Sequence, residues 1–205
     1  MRLIADRLTI ERGGRRLAAN LSFALGPGEA MTVVGRNGTG KSSLLRVIAG
    51  LAPPAAGRVF LDEAQPDATV AVHAHYLGHA DALKGALTAS ENLHFWQAML
   101  ARAEDRLGAP PADALARWGL AHVADLPVLY LSAGQKRRLA LARLLVARRP
   151  LWLLDEPTTA LDAPSQQRFA EIVHEHLAQG GMVLAATHAA LGLAAARELA
   201  LGGPA

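Results

Sequence analysis

Gly35-Arg-Asn-Gly-Thr-Gly-Lys41-Ser42 follows a short apolar run, Met31 to Val34, and leads into a helical pattern from Lys41 to Ala49. The octapeptide fits GxxxxGK[ST], and a strand, a glycine-rich turn and a helix in this order are the context that a phosphate-binding loop requires. Its glycines let backbone N–H groups converge on phosphates, and the helix start adds the positive end of a dipole. The stretch predicts a nucleotide site in an α/β fold.

The side chains of this loop suit ATP and Mg²⁺ as cofactors. Lys41 is expected to reach the β- and γ-phosphates, and Ser42 to hold Mg²⁺. The residues predicted to contact the nucleotide are Gly35, Arg36, Asn37, Gly38, Thr39, Gly40, Lys41, Ser42 and Ser43.

A second apolar strand, Leu151-Trp-Leu-Leu, ends in Asp155 and Glu156. Asp155 can accept a hydrogen bond from a Mg²⁺-bound water, and Glu156, one step further out, can polarise the attacking water. The alternative is a strand that merely ends in two solvated acids. The phosphate loop upstream favours the catalytic interpretation.

Leu131-Ser132-Ala133-Gly134-Gln135 begins a further predicted helix, which runs from about Ser132 to Arg148. Small residues at a helix start expose its N–H groups to an anion, and the Ser132 hydroxyl adds a donor. One nucleotide does not need two such helix ends on the same face. This second end is therefore predicted to serve the nucleotide of another copy of the chain.

These residues resemble the LSGGQ signature of ABC ATPases. Thr159-Ala-Leu-Asp162 resembles the D-loop of that family, and Thr187-His188 resembles its switch histidine. The resemblance covers essentially the whole chain, and it implies a P-loop NTPase of ABC type in a single domain, residues 1–205. An N-terminal antiparallel β region and a helical subdomain at about 80–146 are expected.

By the same resemblance two copies of the chain pack head to tail as a homodimer. Each ATP then lies between the Gly35 to Ser42 loop of one copy and the Ser132 to Gln135 segment of the other. His188 would contact the γ-phosphate, and Asp162 would couple the two sites.

A narrower resemblance is to the ATP-binding proteins of cytochrome c maturation (heme exporter) systems. The residues behind it are Gly78-His79, Lys84, Leu87-Thr88, Glu91-Asn-Leu-His-Phe95 and Pro127 through Arg138. It implies a peripheral protein on the cytoplasmic face of the inner membrane, coupled to an integral permease. Its work would be heme export, or the release of heme from a carrier, for c-type cytochromes.

Other functions stay open at this point. The cargo could differ, since the cargo path would belong to the membrane partner. A non-transport ABC-type ATPase acting on DNA or ribosomes would usually have a coiled-coil insertion or a second cassette, and neither is present, so no nucleic-acid partner is expected. A binding-only protein is disfavoured because Glu156 and His188 are both present.

Three positions depart from the family pattern. His79 stands where most ABC ATPases have a glutamine that helps to ligate Mg²⁺; a neutral imidazole can accept a hydrogen bond from metal-bound water. Ala133 replaces a glycine of the signature. The stretch Thr9 to Arg16 has no aromatic residue to stack on adenine, so Arg12 either lies on the base or is a solvated turn residue.

Composition narrows the classes further. No stretch approaches the roughly 18 apolar residues of a spanning helix, and an apolar leader is not seen, so a cytoplasmic location is expected. The absence of cysteine excludes disulfides and thiolate metal sites.

The basic segment from Lys136 to Arg149 suits either phosphates and acidic lipids or a solvated helix face. Direct heme binding is not expected, although His73 and His75 would share a strand face and His174 lies near His176.

The remaining chain alternates strands and helices. We expect a hairpin around Gly13-Gly14, a capping box of Thr88 with Glu91, and exposed aromatics at Phe95 and Trp96 that either receive a helix of the membrane partner or pack the subdomain. The other predicted elements are strands Leu3–Ile10, Leu17–Leu25, Arg58–Leu61, Ala71–Leu77 and Met182–Thr187, helices Thr88–Ala101 and Pro164–Ala178, a short helix after Pro111, and a last helix.

Overall fold

The computed structural model describes residues 1–62, 69–100, 108–188, 192 and 196–202. The strands are β1 (Leu3–Arg12), β2 (Arg15–Leu25), β3 (Ala30–Val34), β4 (Ala56–Leu61), β5 (Ala74–Leu77), β6 (Leu151–Asp155), β7 (Met182–Ala186) and β8 (Arg197–Ala200). The helices are α1 (Lys41–Ile48), α2 (Val70–His73), α3 (Ala89–Leu100), α4 (Pro111–Arg117), α5 (Ala133–Val146) and α6 (Ala163–Ala178). Short 3₁₀ turns span Ala121–Val123 and Val128–Tyr130.

The chain divides into two compact units. The first comprises Met1–Gly78, Pro150–Pro157 and Glu171–Ala205, and the second comprises His79–Arg149 and Thr158–Ala170. The first unit contains an antiparallel sheet in the order β2-β1-β4 and a parallel sheet in the order β5-β6-β7-β3-β8. The second contains α3, α4 and α5. The predicted α/β architecture with an N-terminal antiparallel region is confirmed.

The parallel sheet positions the chemistry of the first unit. Every residue of β6 and β7 is buried, as expected for central strands covered on both faces. β3 lies between β7 and β8, and the ends of β3, β6 and β7 lead into Gly35, Glu156 and Thr187. Carboxyl ends of parallel strands gather at one sheet edge, so three distant sequence segments meet there.

A β-bulge adjusts the hairpin. The β1 register shifts between Ala5 and Leu8, and Arg7 between them has φ of +48°. One extra residue reverses the inward-outward alternation of a strand. Leu3, Ala5, Leu8 and Ile10 can therefore all lie in the core of the first unit.

Two predicted elements were wrong in part. The strand predicted over Ala71–Leu77 begins only at Ala74, because Val70–His73 forms a helical turn in which Val72 N–H donates to the Thr69 carbonyl. Helical spacing buries both Val70 and Ala74, four residues apart, in the same core cluster. His73 and His75 consequently do not share a strand face.

Helix α5 ends at Val146 rather than Arg148. Its last carbonyls, of Leu145 and Val146, accept from the N–H groups of Ala109 and Gly108, and Ala147 is already extended. Arg137, Arg143 and Arg149 of the basic segment are buried, so the alternative of a solvated helix face does not hold for these three side chains.

The C-terminal prediction is corrected at one point. Residues 189–191 and 193–195, where the last helix was expected, lie outside the described residues. Arg197–Ala200 form β8, which pairs in parallel with β3. Ala101, the predicted end of the helix after Thr88, is also outside the described part. The Thr88–Glu91 capping box is present, with both reciprocal hydrogen bonds, at 2.8 and 3.1 Å.

Candidate active site

The phosphate loop turns sharply between β3 and α1. Gly40 caps the helix with φ of +104°, a conformation that favours glycine. A Cβ at Gly40 would lie 2.8 Å from Leu17 Cβ in β2. Leu17 is thus a structural member of the site that sequence reasoning missed, although the inward phase of its strand could have indicated it.

Lys41 is held at the start of α1. It is 8% exposed, and its ammonium donates to the carbonyls of Gly35 at 2.7 Å and Arg36 at 3.2 Å. Its Nζ also lies 3.0 Å from His188 Nε2. The ammonium is therefore held between the loop carbonyls and His188.

His188 Nε2 meets three groups. Asn37 Oδ1 lies at 2.8 Å, Lys41 Nζ at 3.0 Å and Glu156 Oε1 at 3.8 Å. The structure brings these four predicted residues together from the loop, the end of β6 and the end of β7. One ring nitrogen cannot donate to Asn37 and accept from Lys41 at once, so the tautomer decides which contact is a hydrogen bond.

Two oxygen groups adjoin this cluster. The Ser42 hydroxyl donates to Asp155 Oδ1 at 3.0 Å, and Asp155 is 4% exposed. Glu156 follows in the left-handed region, with φ of +47°, and its N–H donates to the Ala186 carbonyl. The other predicted loop residues lie in the same segment: Arg36 and Gly38 are exposed, Ser43 lies in α1, and the Thr39 hydroxyl donates to the Arg36 carbonyl.

The signature segment belongs to the second unit. Ser132 caps α5: its hydroxyl accepts from Gln135 N–H at 3.2 Å, and the Gln135 side chain accepts from Ser132 N–H at 2.8 Å. The N–H groups of Ala133 and Gly134 belong to the first turn, which has no intrahelical acceptors. A Cβ at Gly134 would lie 3.2 Å from the Ala160 carbonyl oxygen, so a larger residue is tightly constrained there.

Asp162 and His79 complete the predicted set, both in the second unit. Asp162 lies just before α6, where Oδ1 accepts from Ser165 N–H at 3.0 Å. Hydrogen bonds from Ser165 lower the pKa of the Asp162 carboxyl. His79 is exposed in the loop that follows β5. Their predicted roles in coupling and in metal binding stay predictions.

Comparison with known proteins identifies the family. The family described as ABC transporter matches residues 18–159. A "Cytochrome c biogenesis ATP-binding export protein CcmA" from Rhodopseudomonas palustris (strain HaA2) is 53% identical over 98% of each chain. Its namesake from Bradyrhizobium diazoefficiens is 53% identical over 99% of each chain. A solved "Structure of ATP binding subunit of ABC transporter" aligns with a TM-score of 0.81 at 21% identity, covering 98% of this chain and 86% of that one, which supports the fold.

Together with the phosphate loop, the paired carboxylates and the capped signature helix, these likenesses confirm the sequence resemblance. The chain belongs to the ABC transporter family, as an ATP-hydrolysing member related to the cytochrome c biogenesis ATP-binding export proteins.

Proposed function

We propose that this ATPase works as a homodimer beneath an integral membrane permease and powers heme export, or release of heme from its carrier, during c-type cytochrome biogenesis. Within the described residues no helix is long and apolar enough to cross a membrane. In this proposal the chain lies peripherally at the cytoplasmic face of the inner membrane, bound to the permease. The identity of 53% with the cytochrome c biogenesis relatives, across nearly all of both chains, supports the assignment most directly.

The contacts of His188 support a γ-phosphate at the centre of the site. Lys41 and Nε2–H of His188 are both donors, and they lie 3.0 Å apart. A phosphate oxygen between them would accept a hydrogen bond from each. His188 Nε2 would then not have to accept from Lys41 while it donates a proton itself. Glu156 Oε1, 3.8 Å from His188 Nε2, would then lie near the same phosphate.

Glu156 then acts as the base in hydrolysis. Its carboxylate takes a proton from water as the water oxygen attacks the γ-phosphorus, and the bond to the β-phosphate oxygen breaks to release ADP. Lys41 and the loop N–H groups stabilise charge on the phosphate oxygens. His188 keeps the γ-phosphate aligned for the attack.

Ser42 and Asp155 fit Mg²⁺ as the companion ion. Both supply hard oxygen ligands, and their side chains already lie within 3.0 Å of each other. Magnesium bound there would neutralise phosphate charge. Few protein ligands are needed, because Mg²⁺ usually keeps several waters and binds substrate phosphates. His79 as a further partner of a metal-bound water remains our proposal.

The histidines of α6 do not suit heme. His176 stacks on Trp152, with ring centroids 3.8 Å apart, and its Nε2 is buried. His174, two residues earlier, is exposed and points about 200° away around the helix. We therefore propose that heme is handled by the membrane partner and that this chain supplies the energy.

Complementation tests the assignment. In a bacterium whose own cytochrome c maturation ATPase has been deleted, the wild-type chain should restore c-type cytochromes, and Lys41→Ala should not. Affinity purification from the same cells should recover an integral membrane protein, identified by mass spectrometry. Restoration of a different transport process without c-type cytochromes would show that the cargo differs.

A further inference from the structure

Asp81 fastens the loop that contains His79 to helix α5. Its carboxylate accepts from Arg137 Nη1 at 3.0 Å, and its backbone carbonyl accepts from Arg143 Nη1 at 2.9 Å. Both arginines are buried, 4% and 6% exposed respectively. Buried guanidinium groups require a compensating partner, and Asp81 offers one to each.

The loop is also fixed at its other end. Asn92, fully buried in α3, donates to the carbonyls of Lys84 at 3.0 Å and Leu87 at 3.2 Å, and accepts from Lys84 N–H at 2.8 Å. Between the two attachments Ala82 has φ of +52°. A residue with a Cβ remains in that region only where its surroundings impose it.

The charge of Asp81 serves two guanidinium groups. Arg143 lies over the Trp96 ring, 4.1 Å from its centroid, and burial lowers its pKa to about 10, with Arg137 lowering it and Asp81 opposing. Without the Asp81 carboxylate, less negative charge would offset the repulsion between the buried guanidinium groups of Arg137 and Arg143. Relaxing that repulsion would require the loop or the arginines to move.

Helix α5 starts with the signature segment, and Arg137 is only the second residue after Gln135. We propose that Asp81 is a positioning residue that locks the loop from His79 to Lys84 to the signature helix, so that His79 and the signature segment move as one body. Its effect on turnover rests on the function proposed above. Its effect on the loop does not.

A spin label measures the loop directly. Because the chain contains no cysteine, Ala80→Cys, at an exposed position, can be labelled specifically in the full-length protein. Adding Asp81→Ala should sharpen the nitroxide spectrum and shorten its correlation time severalfold, whereas Asp81→Glu should restore the slow spectrum. Asp125→Asn, an exposed carboxylate of the same unit, is the control and should change nothing. A spectrum of Asp81→Ala that superimposes on the parent would overturn the proposal.

Turnover separates positioning from general stability. Asp81→Ala should lower kcat about tenfold, since small misplacements of site groups cost rate. The Kd for ATP should stay within about twofold of the wild-type value, because Asp81→Ala does not alter the contacts of the phosphate loop with ATP. An unchanged kcat despite a freed loop, or a loss of ATP affinity as large as the loss of kcat, would contradict a positioning role. Absence of turnover in the wild-type chain would count against the proposed function and leave the label result to decide this inference.

Discussion

Glu156 combines an unfavourable backbone conformation with the central chemical role. A non-glycine residue at φ of +47° costs of order 1–2 kcal/mol. The buried strand before it and the hydrogen bond from its N–H to the Ala186 carbonyl, at 2.8 Å, impose this conformation. The turn carries the carboxylate out of β6, to within 3.8 Å of His188. Strain is thus maintained where it sets the direction of the proposed base.

Glu156→Gln should keep ATP binding and nearly abolish hydrolysis. The amide preserves shape and backbone, but it cannot take a proton from water, so kcat should fall about 10²- to 10⁴-fold. Phosphate-release assays and nucleotide titrations measure the two quantities separately. Glu175→Gln, at an exposed carboxylate of α6, is the matched control. Wild-type turnover in Glu156→Gln would show that another group is the base.

The preference for the base of the nucleotide should be weak. Arg12 is exposed at the tip of the hairpin, where it pairs with Arg15. Two residues further along β2, Leu17 packs on Gly40 of the phosphate loop, so the hairpin tip lies near the nucleotide site. An aromatic stack is worth about 1–3 kcal/mol in single-stranded nucleic-acid sites, and no aromatic residue is present at this tip. Affinity should then rest on phosphates, which adenine and guanine nucleotides share. We expect ATP and GTP to bind within about tenfold of each other.

Arg12→Tyr should tighten the binding of both nucleotides modestly. Arg58→Tyr places the same ring elsewhere on the antiparallel sheet and should leave affinity unchanged. Competition titrations with the purified chain measure both effects. If the wild-type chain bound ATP more than a hundredfold more tightly than GTP, another group would have to contact the adenine base.

At the scale of elements, local pattern predicted the central strands and long helices well. β6 is apolar from Leu151 to Leu154, and α3 and α5 begin with capping boxes, so the local sequence predicts these elements. The segment from Val70 to Tyr76 is different, because the spacing of its apolar residues fits a helix as well as a strand. The helical turn at its start is favoured only because it buries Val70 together with Ala74. β8 contains Arg197 and Glu198 and forms only through pairing with β3, which no local pattern shows.

The site divides in the same way. The phosphate loop and the carboxylates at the end of β6 follow from contiguous motifs. The contact of His188 with Lys41 joins residues 147 positions apart, and that of Asp81 with Arg137 joins residues 56 apart. Lys41 and His188 were each expected at the γ-phosphate, His188 only through family resemblance, but their direct contact was not predicted, and the contact of Asp81 with Arg137 was missed. Single-sequence patterns do not encode which distant charges will meet.

Helix α6 should make the first unit sensitive to acid. His176 stacks on Trp152 of β6, and burial lowers its pKa from 6.5 to about 4. Above pH 6.5 the ring is neutral in both the folded and the unfolded chain. As the pH falls below 6.5, His176 becomes protonated in the unfolded chain but stays neutral in the folded chain. The free energy of unfolding therefore decreases until the pH reaches about 4. The difference corresponds to roughly 3 kcal/mol at the acid end.

His176→Phe tests this contribution, because the ring still stacks but cannot titrate. Free energies of unfolding from urea titrations at pH 7 and pH 4.5 should differ less in His176→Phe than in the wild type. His174→Gln, at the exposed neighbouring histidine, should retain the wild-type difference. Parallel pH curves for wild type and His176→Phe would contradict the assignment.

At the scale of the whole molecule, the two units contain different parts of the nucleotide machinery. The phosphate loop, Glu156 and His188 belong to the first unit, and the signature segment belongs to the second. In the proposed head-to-tail dimer, the first unit of one copy and the second unit of the other share each ATP. A symmetric pair then has two equivalent sites.

Gly134 tests the partner's contribution. Gly134→Asp should place a carboxylate near the γ-phosphate of the partner's nucleotide and lower kcat at least about a hundredfold through removal of transition-state stabilisation. Binding of ATP by the phosphate loop should largely survive. Since a Cβ at Gly134 would lie 3.2 Å from the Ala160 carbonyl oxygen, Gly134→Ala measures the steric part alone and should retain more turnover. Equal losses in both variants would indicate that packing, and not charge, causes the effect.

Mixing two inactive variants decides whether the sites are shared between copies. Gly134→Asp keeps a sound phosphate loop, and Lys41→Ala keeps a sound signature segment. In a mixed dimer with shared sites, one site combines both sound halves, while the other combines both damaged halves. At equal mixing about half of the dimers are mixed, so about a quarter of wild-type turnover should return. Lys41→Ala mixed with Glu156→Gln is the control and should stay inactive, because both changes lie on the phosphate-loop side. If each ATP were bound and hydrolysed within one chain, neither mixture would recover activity.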